Sequence, residues 1–390
     1  MRTQRCIVAL TALGLLLFGW LAAAPAGAAQ PASQCFAETG KCIQGRFLDY
    51  WQSHGGLALN GYPLSDERQE LLEDGHTYTV QYFERVRMEL HPENQPPYDV
   101  LLGQFGRRVL RDRFTTDIGV YRQTIAPAAP LAGQIYFSKT GHNLGGRFLD
   151  YWQANGDLMQ FGYPLTEVFS ETLDNGQTYQ VQYFERARME LHPENQPPYD
   201  VLLGQFGRAI LTQADMLTGD FNFIYVTSED VRGRLGRPIA PQAQISGATQ
   251  LFERGQMFWR GDKHLIIVLA GDPQTGQLII DARQVAPYFA DTWQEGQDPG
   301  GGPAPTPGLY YPQRGFGKVW RDNDYVRSAL GYARAAAESG YTMTLQDFER
   351  GVMLTSQTSE GQFIYVVNFI YPCNSCTPQG AYERFTPRSQ

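Results

Sequence analysis

Two kinds of short motif contain the residue types of a zinc-dependent deaminase. His-Pro-Glu motifs begin at His91 and His192, and a Cys-x-x-Cys motif joins Cys373 to Cys376. A deaminase of this kind needs one nitrogen and two thiolates to converge on zinc, with the glutamate as general acid and base. These motifs lie far apart in the chain, and no βαβ pattern connects them. We therefore interpret each His-Pro-Glu segment as the exit of a strand into a turn that the following prolines shape.

Four glutamates that recur at equivalent places suggest acid–base chemistry. They lie in the motifs Phe83-Glu84-Arg85, Phe184-Glu185-Arg186, Phe252-Glu253-Arg254 and Phe348-Glu349-Arg350. Glycoside hydrolysis needs two carboxyl groups about 5 to 10 Å apart across one scissile bond. One carboxylate on each of four units does not generally provide such a pair. We predict instead that each glutamate is structural, because a carboxylate at a buried bend needs an arginine or a backbone partner.

Other catalytic signatures are not found in the sequence. No Gly-x-Ser-x-Gly motif occurs, and the glycine-rich segment at Gly315 lacks the serine or threonine and the loop length of a phosphate-binding loop. The histidines are scattered and form no metal-binding pattern: His54, His76, His91, His142, His192 and His264. The sequence therefore predicts neither a metal site nor a cofactor.

Aromatic residues are the candidates for ligand binding, because sugars stack on flat aromatic faces. Tyr62 and Tyr163 lie at equivalent Gly-Tyr-Pro turns, and Trp259 follows the third Phe-Glu-Arg motif. Trp51 and Trp152 lie on a helical stripe, and we interpret them as core residues. The alternative for the two tyrosines is that their rings cap the same helical stripe.

The elements that position these residues are repeated along the chain. Residues 81–107 recur as residues 182–208 with one change, Val86 becoming Ala187. An active site is needed once, whereas a scaffold unit is needed as often as the scaffold has units. Diverged copies with a Leu-Gly turn and a Phe-Glu-Arg motif begin at Leu235 and Leu330. The repeats therefore predict an architecture of four units on one plan.

Local patterns predict similar elements within the units. A helical stripe around Trp51 ends at Gly55-Gly56. Asp74-Gly75 and its counterpart Asn175-Gly176 are hairpin signals. Apolar residues alternate before and after Glu84, as in a strand, and the glutamate interrupts them, which predicts a bend or bulge.

A linker dense in glycine and proline cannot form a packed element, and it sets off the fourth unit. The predicted segments are the signal peptide 1–29, unit 1 at 30–132, unit 2 at 133–225, unit 3 at 226–293, the linker 294–309 and unit 4 at 310–390.

The first residues and the cysteines indicate export. Positive charges precede an apolar run from Ile7 to Ala24 and a small-residue cleavage site, as in a secretory signal peptide, and an uncleaved anchor is the alternative. Export favours disulfides, and we predict the pairs Cys35–Cys42 and Cys373–Cys376. The second pair has a redox-active alternative. We expect a secreted or cell-surface protein that is not inserted in a membrane after signal removal.

The net charge limits the partners. The chain carries a formal charge of −8, and loss of Arg2 and Arg5 with the signal makes it about −10. This charge argues against nucleic acid and anionic lipid as partners.

The stretch from Ile135 to Glu167 resembles the LGFP repeat of bacterial extracellular proteins. That repeat has an aromatic strand, a turn ending in histidine, a helix with a tryptophan, a Leu-Gly-x-Pro turn and a Phe-x-Gly-Gly segment. The residues that match by position are Tyr136, Thr140, Gly141, His142, Trp152, Gly162, Pro164 and Phe184. Phe-Glu-Arg stands here in place of Phe-x-Gly-Gly. The resemblance implies a non-catalytic module of the bacterial cell envelope, sometimes joined to hydrolases, in compact or ring-like arrays.

We expect an α+β protein of tandem units, each with a short helix, a Gly-x-Pro turn and antiparallel hairpin strands, in a propeller-like or ring-like array. The expected function is extracellular binding or structural interaction. The resemblance implies a cell-envelope location, so the expected partner is a cell-envelope polysaccharide, with glycan as the ligand, or a surface protein. The alternative is a secreted hydrolase, directed at glycan or peptide, whose site forms between units. A hydrolase predicts one asymmetric cleft with converging carboxylates, whereas a binding module predicts related shallow surfaces on successive units.

Overall fold

The computed structural model describes residues 32–113, 118–272, 276–281, 283, 286–298, 306–370 and 379–388. Short helices are combined with antiparallel strands, which confirms the mixed helix and strand composition predicted from the sequence. The predicted signal peptide and the pair Cys373–Cys376 lie outside the described residues. None of the helices within those ranges is long and apolar enough to span a bilayer.

The first two units follow the same order of elements. In the first unit these are β1 Ser33–Phe36, β2 Lys41–Gln44, α1 Gly45–Ser53, α2 Gly56–Asn60, β3 Arg68–Leu71, β4 Thr77–Tyr82, β5 Arg87–Leu90, β6 Val100–Leu102, α3 Phe105–Arg113 and α4 Ile118–Thr124. In the second they are β7 Ile135–Phe137, β8 His142–Leu144, α5 Gly146–Ala154, α6 Asp157–Gln160, β9 Phe169–Thr172, β10 Thr178–Tyr183, β11 Arg188–Leu191, β12 Val201–Leu203 and α7 Phe206–Ala214. Each unit has a four-stranded sheet whose strands follow chain order.

The local predictions for these units are confirmed. Helix α1 buries Phe47, Tyr50 and Trp51 along one stripe, and Gly55 leaves the helix with a φ of 77°. The turn between β3 and β4 contains Gly75 with a φ of 83°, a conformation that glycine adopts without steric cost. Strands β4 and β5 are separated by the bend that contains the first Phe-Glu-Arg motif. The apolar spacing and the turn residues therefore predicted the helix, the hairpin and the bend correctly.

Cys35 and Cys42 form a disulfide with an S–S distance of 2.06 Å, as predicted. The two residues face each other in the β1–β2 hairpin. In the second unit the same places are occupied by Tyr136 and Asn143, which also face each other. The Asn143 side chain bonds the incoming chain instead, accepting from Leu131 N at 2.9 Å. A hydrogen-bonded asparagine thus ties down the hairpin in the second unit, where the first unit has a covalent bridge.

The third and fourth units together build one closed β-barrel. The third contributes α8 Gly219–Thr227, α9 Glu229–Leu235, β13 Ala243–Phe252, β14 Gly255–Arg260, β15 Leu265–Ala270, β16 Gln277–Ile279 and β17 Phe289–Ala290. The fourth contributes α10 Arg314–Asp322, α11 Asp324–Leu330, β18 Ser339–Phe348, β19 Gly351–Thr358, β20 Gly361–Ile370 and β21 Gln379–Phe385. The strand order is β13, β18, β19, β20, β21, β16, β15 and β14, and pairing of β14 with β13 closes the barrel.

This closure corrects the expected array. A propeller or ring of separate units is not seen in the described part of the chain, because the long strands β13 and β18 pair along seven residues and merge the two units. Consequently the glycine- and proline-rich linker does not separate the fourth unit from the third. The predicted boundary at residue 226 also falls inside helix α8, which spans Gly219–Thr227.

The barrel interior is filled by side chains that alternate along its strands. Phe258, Leu269, Met343, Leu354 and Tyr365 belong to one buried cluster that draws on strands from both units. Small barrels of eight strands are commonly filled in this way. The interior is therefore a packed core and not a channel.

The outer faces of the barrel are covered by exchanged helices. Tyr225 and Leu235, from the third unit, pack on Met353 and Val366 of the fourth. In the opposite direction, helices α10 and α11 of the fourth unit pack on strands β14 and β15 of the third. The helix residues in this contact are Val319, Trp320, Val326 and Leu330, and the strand residues are Met257, Ile266 and Val268. Each helix pair therefore rests on strands that belong to the other unit.

The first two units also exchange an element. Helix α3 packs against β10 and helix α7 against β4, so each unit places its C-terminal helix on the other sheet. Phe105 and Leu110 of α3 share a buried cluster with Val181 and Tyr183 of the second sheet. Phe206 of α7 belongs to the same cluster. One core therefore holds the two units together.

Candidate functional site

The four Phe-Glu-Arg motifs make the same backbone contacts in the structure. In each, the glutamate carboxylate accepts a hydrogen bond from a backbone N–H in a Gly-x turn. The pairs are Glu84 with Tyr62 at 3.1 Å, Glu185 with Tyr163 at 3.2 Å, Glu253 with Tyr332 at 2.7 Å and Glu349 with Arg237 at 3.0 Å. The first two pairs lie within one unit, whereas the last two join the third unit to the fourth.

The turn beside each glutamate requires glycine. Gly61, Gly162, Gly236 and Gly331 all have a positive φ, between 73° and 81°. A Cβ atom on Gly61 would lie 2.6 Å from the Cβ of Glu84, so the close approach of the two segments excludes a side chain. The N–H and the carboxylate can meet only because this place is unsubstituted.

The arginine of each motif binds the end of a helix. Arg85 donates to the carbonyl of Leu57 at 3.1 Å, and Arg186 donates to that of Leu158 at 2.8 Å. The later pairs are Arg254 with Ser328 at 2.8 Å and Arg350 with Gly233 at 2.7 Å. Helix C-termini carry unpaired carbonyls and partial negative charge, which a guanidinium satisfies. The repeated motif therefore has a structural role in all four units, because its glutamate binds a turn and its arginine binds the end of a helix.

Glu349→Gln is expected to reduce stability by about 1 to 2 kcal/mol at neutral pH, because the turn N–H loses a charged acceptor. Burial acts to raise the pKa of Glu349, but hydrogen bonds from the Arg237 side chain and backbone outweigh it and lower that pKa. A carboxyl with a lowered pKa stabilises the fold above its unfolded pKa of about 4.3, and this contribution is lost as the pH falls through the folded value.

Urea unfolding at pH 7 and at about pH 3 checks the prediction, since the difference between variant and wild type should shrink in acid. Glu360→Gln, at an exposed turn of the same unit, is the control. A difference that is constant with pH would contradict a charged role for Glu349.

The predicted ligand-binding tyrosines take part in intramolecular ring contacts. Tyr62 is half-buried, with its ring 5.5 Å from that of Phe36 and its hydroxyl donating to Glu38 at 3.1 Å. Tyr163 lies 5.7 Å from Phe137, and the Lys139 ammonium stands 4.7 Å above its ring. These contacts reduce the ring surface that is open to a ligand.

The tryptophans lie close to these turns. Trp51 is buried and its indole N–H donates to the Gly61 carbonyl at 3.1 Å, and Trp152 repeats this bond to Gly162 at 3.2 Å. In the third unit the hydroxyl of Tyr225 takes the same place. Trp259 is half-buried and packs against the cluster under α10 and α11.

Among the residues that the structure describes, two other tyrosines at equivalent places are the most exposed of the large hydrophobic side chains. Tyr98 is 61% exposed and Tyr199 is 69% exposed, and each follows two prolines in the loop between the last strands of its sheet. Sequence reasoning missed them because the loop was interpreted only as a strand exit. The signal was present: an aromatic residue stands between turn-forming prolines and an aspartate, outside any apolar periodicity.

The loop that carries Tyr98 is held by its own hydrogen bonds. Tyr98 N donates to Gln95 O at 2.9 Å, and the Asn94 amide donates to Tyr98 O at 3.1 Å. The next residue, Asp99, accepts a two-pronged bond from Arg46 with both distances at 2.7 Å. The Arg46 guanidinium lowers the pKa of Asp99. The second unit repeats these hydrogen bonds around Tyr199, and there Arg147 donates two bonds to Asp200. Each tyrosine ring therefore projects from a fixed backbone.

The His-Pro-Glu segments lie at the base of the same loops. His91 is buried, its ring centre lies 4.1 Å from that of Tyr78, and its Nδ1 is 2.8 Å from Glu93 Oε1. Hydrogen bonding to Glu89 and Glu93 raises the pKa of His91. Within the described ranges, no group of three or more His, Cys, Asp or Glu side chains is arranged to hold a metal.

A large cleft lies between the first two units and the barrel. Its volume is about 1070 Å³, and its walls include residues of α3, α4, α7 and α9 and Glu349 and Arg350 of the fourth Phe-Glu-Arg motif. Counted over the described residues, seven arginines and four carboxylates line it, among them Arg111, Arg122, Arg234 and Asp230. Five of these arginines pair with carboxylates in or beside the wall, so the cleft is lined mainly by ion pairs: Arg111 with Glu229, Arg113 with Glu171 and Asp174, Arg188 with Glu171 and Glu190, Arg234 with Asp230 and Glu383, and Arg237 with Glu349.

Several arginines in and behind this cleft bond to neutral oxygens. Arg350 donates to the carbonyls of Gly233 and Arg234 at 2.7 and 3.1 Å, and Arg108 donates to the Gln213 side chain at 2.7 Å. Burial lowers the pKa of Arg350, whereas burial raises the pKa of Asp112. The negative charges of Glu349 and Asp112 act on Arg350, and that of Asp112 acts on Arg108, so nearby carboxylates partly compensate both guanidinium groups.

No protein-family model, no curated protein and no solved structure matches the chain. The LGFP-like repeat therefore remains a resemblance of sequence motifs. The paired tyrosine loops are the surface that stands apart from the architecture.

Proposed function

We propose that this protein is a secreted, non-catalytic module that binds cell-envelope glycan. One observation carries the proposal: Tyr98 and Tyr199 present exposed rings on two loops that share sequence and hydrogen bonds. An exposed, rigidly held tyrosine offers a broad apolar face at low entropic cost, with a hydroxyl at its edge. The apolar face of a sugar ring fits such a surface.

The neighbours of each ring supply polar groups for sugar hydroxyls. Gln95 and Glu93 are exposed in the first loop, and Gln196 and Glu194 occupy the same places in the second. Related surfaces on successive units are what the sequence predicted for a binding module. Two weak sites on one chain also suit a polymer, because the second contact becomes intramolecular once the first has formed.

Export and the LGFP-like motifs support the envelope as the location of the ligand. The signal-like N-terminus favours a secreted or cell-surface protein, and the resemblance favours a non-catalytic envelope module built from tandem units. A surface protein is the alternative partner. The hydrolase alternative has less support, because three of the four cleft carboxylates, Asp174, Asp230 and Glu349, each face an arginine within 4 Å.

Tyr98→Ala and Tyr199→Ala are each expected to weaken binding to polysaccharide purified from bacterial envelopes by about hundredfold, because either change removes the avidity of two sites. The double change should abolish binding, and short oligosaccharides should bind weakly to every variant. Sedimentation with the insoluble polymer, beside a melting curve for each variant, measures both effects.

Tyr310→Ala is the matched control, since Tyr310 is 40% exposed and lies outside both loops. Tyr62→Ala and Tyr163→Ala test the turns that the sequence favoured. Binding that survives the double loop change, or that falls only in step with melting, would reject the tyrosine loops. Binding to a protein fraction with none to polymer would instead favour a surface protein as partner.

A further inference from the structure

His91 lies at the base of the Tyr98 loop and faces a carboxylate with each of its two ring nitrogens. Its Nδ1 is 2.8 Å from Glu93 Oε1, and its Nε2 is 3.5 Å from Glu89 Oε2. An ionised carboxylate only accepts hydrogen bonds, so a ring nitrogen that faces one needs a proton. An imidazole with protons on both nitrogens is a cation. This geometry therefore favours a charged His91, although the residue is only 8% exposed.

The other groups around His91 do not replace its positive charge. Tyr78 of β4 covers the ring, and its hydroxyl donates to Asp74 at 2.8 Å in the hairpin turn. Arg87 of β5 donates twice to Glu89, but both bonds use Oε1, which leaves Oε2 to the histidine. A neutral His91 could donate to only one of its two carboxylates.

The second unit repeats this arrangement at the base of the Tyr199 loop. His192 Nδ1 is 2.9 Å from Glu194, and its Nε2 is 3.3 Å from Glu190. Tyr179 covers the ring with the two ring centres 3.9 Å apart, and here its hydroxyl donates to Glu194 at 3.1 Å. The arginine of that strand again uses only the other oxygen of its glutamate. Both loops therefore have a histidine between two carboxylates.

Each histidine also closes the backbone of its loop. His91 N donates to Asp99 O at 2.8 Å, and His91 O accepts from Asn94 N at 3.0 Å. The second tie of this loop is the ion pair of Arg46 with Asp99. Their hydrogen bonds lower the pKa of Asp99 and raise that of Arg46, so this pair stays charged around neutral pH. Of the two ties, only the histidine changes charge in that range, because its ordinary pKa is about 6.5.

We propose that His91 and His192 are positioning residues of the two tyrosine sites, and that each holds its loop in the binding conformation while its imidazole is doubly protonated. The inference rests on the proposed function, because the sites are those of the tyrosine loops. A loosened loop must be ordered again when a ligand binds, which weakens binding.

The direction of the pH effect follows from the carboxylates. Hydrogen bonds to Glu89 and Glu93 raise the pKa of His91, although burial opposes them. The contribution of the histidine is therefore complete below its unfolded pKa of about 6.5, and it is lost as the pH rises through the folded value. Binding by the loops should weaken on the alkaline side.

The first test is sedimentation with insoluble polysaccharide purified from bacterial envelopes, from about pH 6 to about pH 8.5, which spans the histidine titration. We expect wild-type binding to weaken by about tenfold over this range, the loss of one charge-assisted contact. The double variant His91→Gln, His192→Gln should bind weakly throughout and lose this dependence on pH. His76→Gln is the control and should follow wild type, because His76 is exposed in the neighbouring hairpin and lies outside both loops.

Nitrogen-15 NMR of the histidine rings and hydrogen exchange of the loop amides test the positioning without a ligand. Both rings should carry two protons at about pH 6. The amides of Asn94 and Tyr98, which donate within the loop, should be more protected at that pH than in the double variant. Glu93→Gln changes an exposed residue and leaves the core intact, and it should lower the pH at which His91 loses its proton.

The outcomes separate this inference from the proposed function. A neutral His91 ring at about pH 6 in the folded protein would overturn it, as would a double variant that keeps the wild-type pH profile. Loss of the pH dependence in His76→Gln as well would also overturn it. Absence of polymer binding at every pH would reject the proposed function, and the ring and amide signals would still decide whether the histidines hold the loops. Doubly protonated rings, with the pH dependence lost in the double variant alone, would support the inference.

Discussion

Gly207→Ala is expected to destabilise the first two units by at least about 3 kcal/mol, at the upper end of overpacking effects. Gly207 is the second residue of α7, and its N–H donates to Glu84 O at 2.9 Å. A Cβ atom there would stand 1.7 Å from the carbonyl oxygen of Phe83. The backbone carbonyl of Phe83 cannot rotate away as a side chain can, so helix α7 and the bend that contains Phe83 must move apart.

Gly106→Ala tests the same contact in the opposite direction. Gly106 lies at the start of α3, and its added Cβ would stand 2.0 Å from the carbonyl oxygen of Phe184. The two changes together should cost less than the sum of the single effects, because one shared core is opened by either. Gly340→Ala is the control, since the nearest atom to its added Cβ lies 3.9 Å away.

Urea unfolding followed by circular dichroism measures these differences. A barrel that unfolds separately would give a second transition, so each transition is fitted on its own. If Gly207→Ala leaves the transition of the first two units unchanged while Gly340→Ala behaves as wild type, the helix exchange between those units is wrong.

Ending the chain after Asp298 is expected to abolish the barrel, although the strands of the third unit remain. Those strands pair with β18, β21 and one another, and their outer faces are covered by Trp320 and Leu330 of the fourth unit. Without these partners the run Leu265–Ala270 would expose apolar side chains on two faces, and β13 would lose its pairing with β18. Production of residues 306–390 together with the shortened chain should restore the barrel as a complex of two fragments.

Limited proteolysis with mass spectrometry reads the result along the chain. Cleavage within β13 to β15 should appear in the shortened chain and disappear when the second fragment is present. A cut in the linker after folding is the control, because it removes the covalent connection and leaves every strand in place. If β13 to β15 resist protease equally in the shortened chain, each unit folds alone and the exchange is not needed for stability.

The local elements and the repeat plan could be predicted because they depend on neighbours in the chain. The stripe around Trp51, the hairpin at Gly75 and the bend at Glu84 each follow from spacing or turn chemistry over a few residues. The structural role expected for the Phe-Glu-Arg motifs also follows from local chemistry, since a carboxylate at a bend needs a donor. Which donor it meets was not available from the sequence.

The partner of each motif is a tertiary property. Glu84 bonds its own unit through Tyr62, whereas Glu253 bonds the following unit through Tyr332, with the same atoms in each case. A hydrogen bond satisfied within a unit and one satisfied between units leave the same sequence signature. The difference lies in strand length: β13 and β18 have ten residues, whereas β4 has six, and long strands gain more by pairing with each other.

The sequence by itself determined the repeated units, the disulfide of the first hairpin and the acidic net charge. Only the tertiary structure decided that two units merge into a barrel, that Tyr98 stands free while Tyr62 meets Phe36, and that arginines from α3, α4 and α9 converge on one cleft. Local preferences act between residues a few positions apart. Exposure and charge convergence depend on which distant segments pack together, because burial is a property of all neighbours in space.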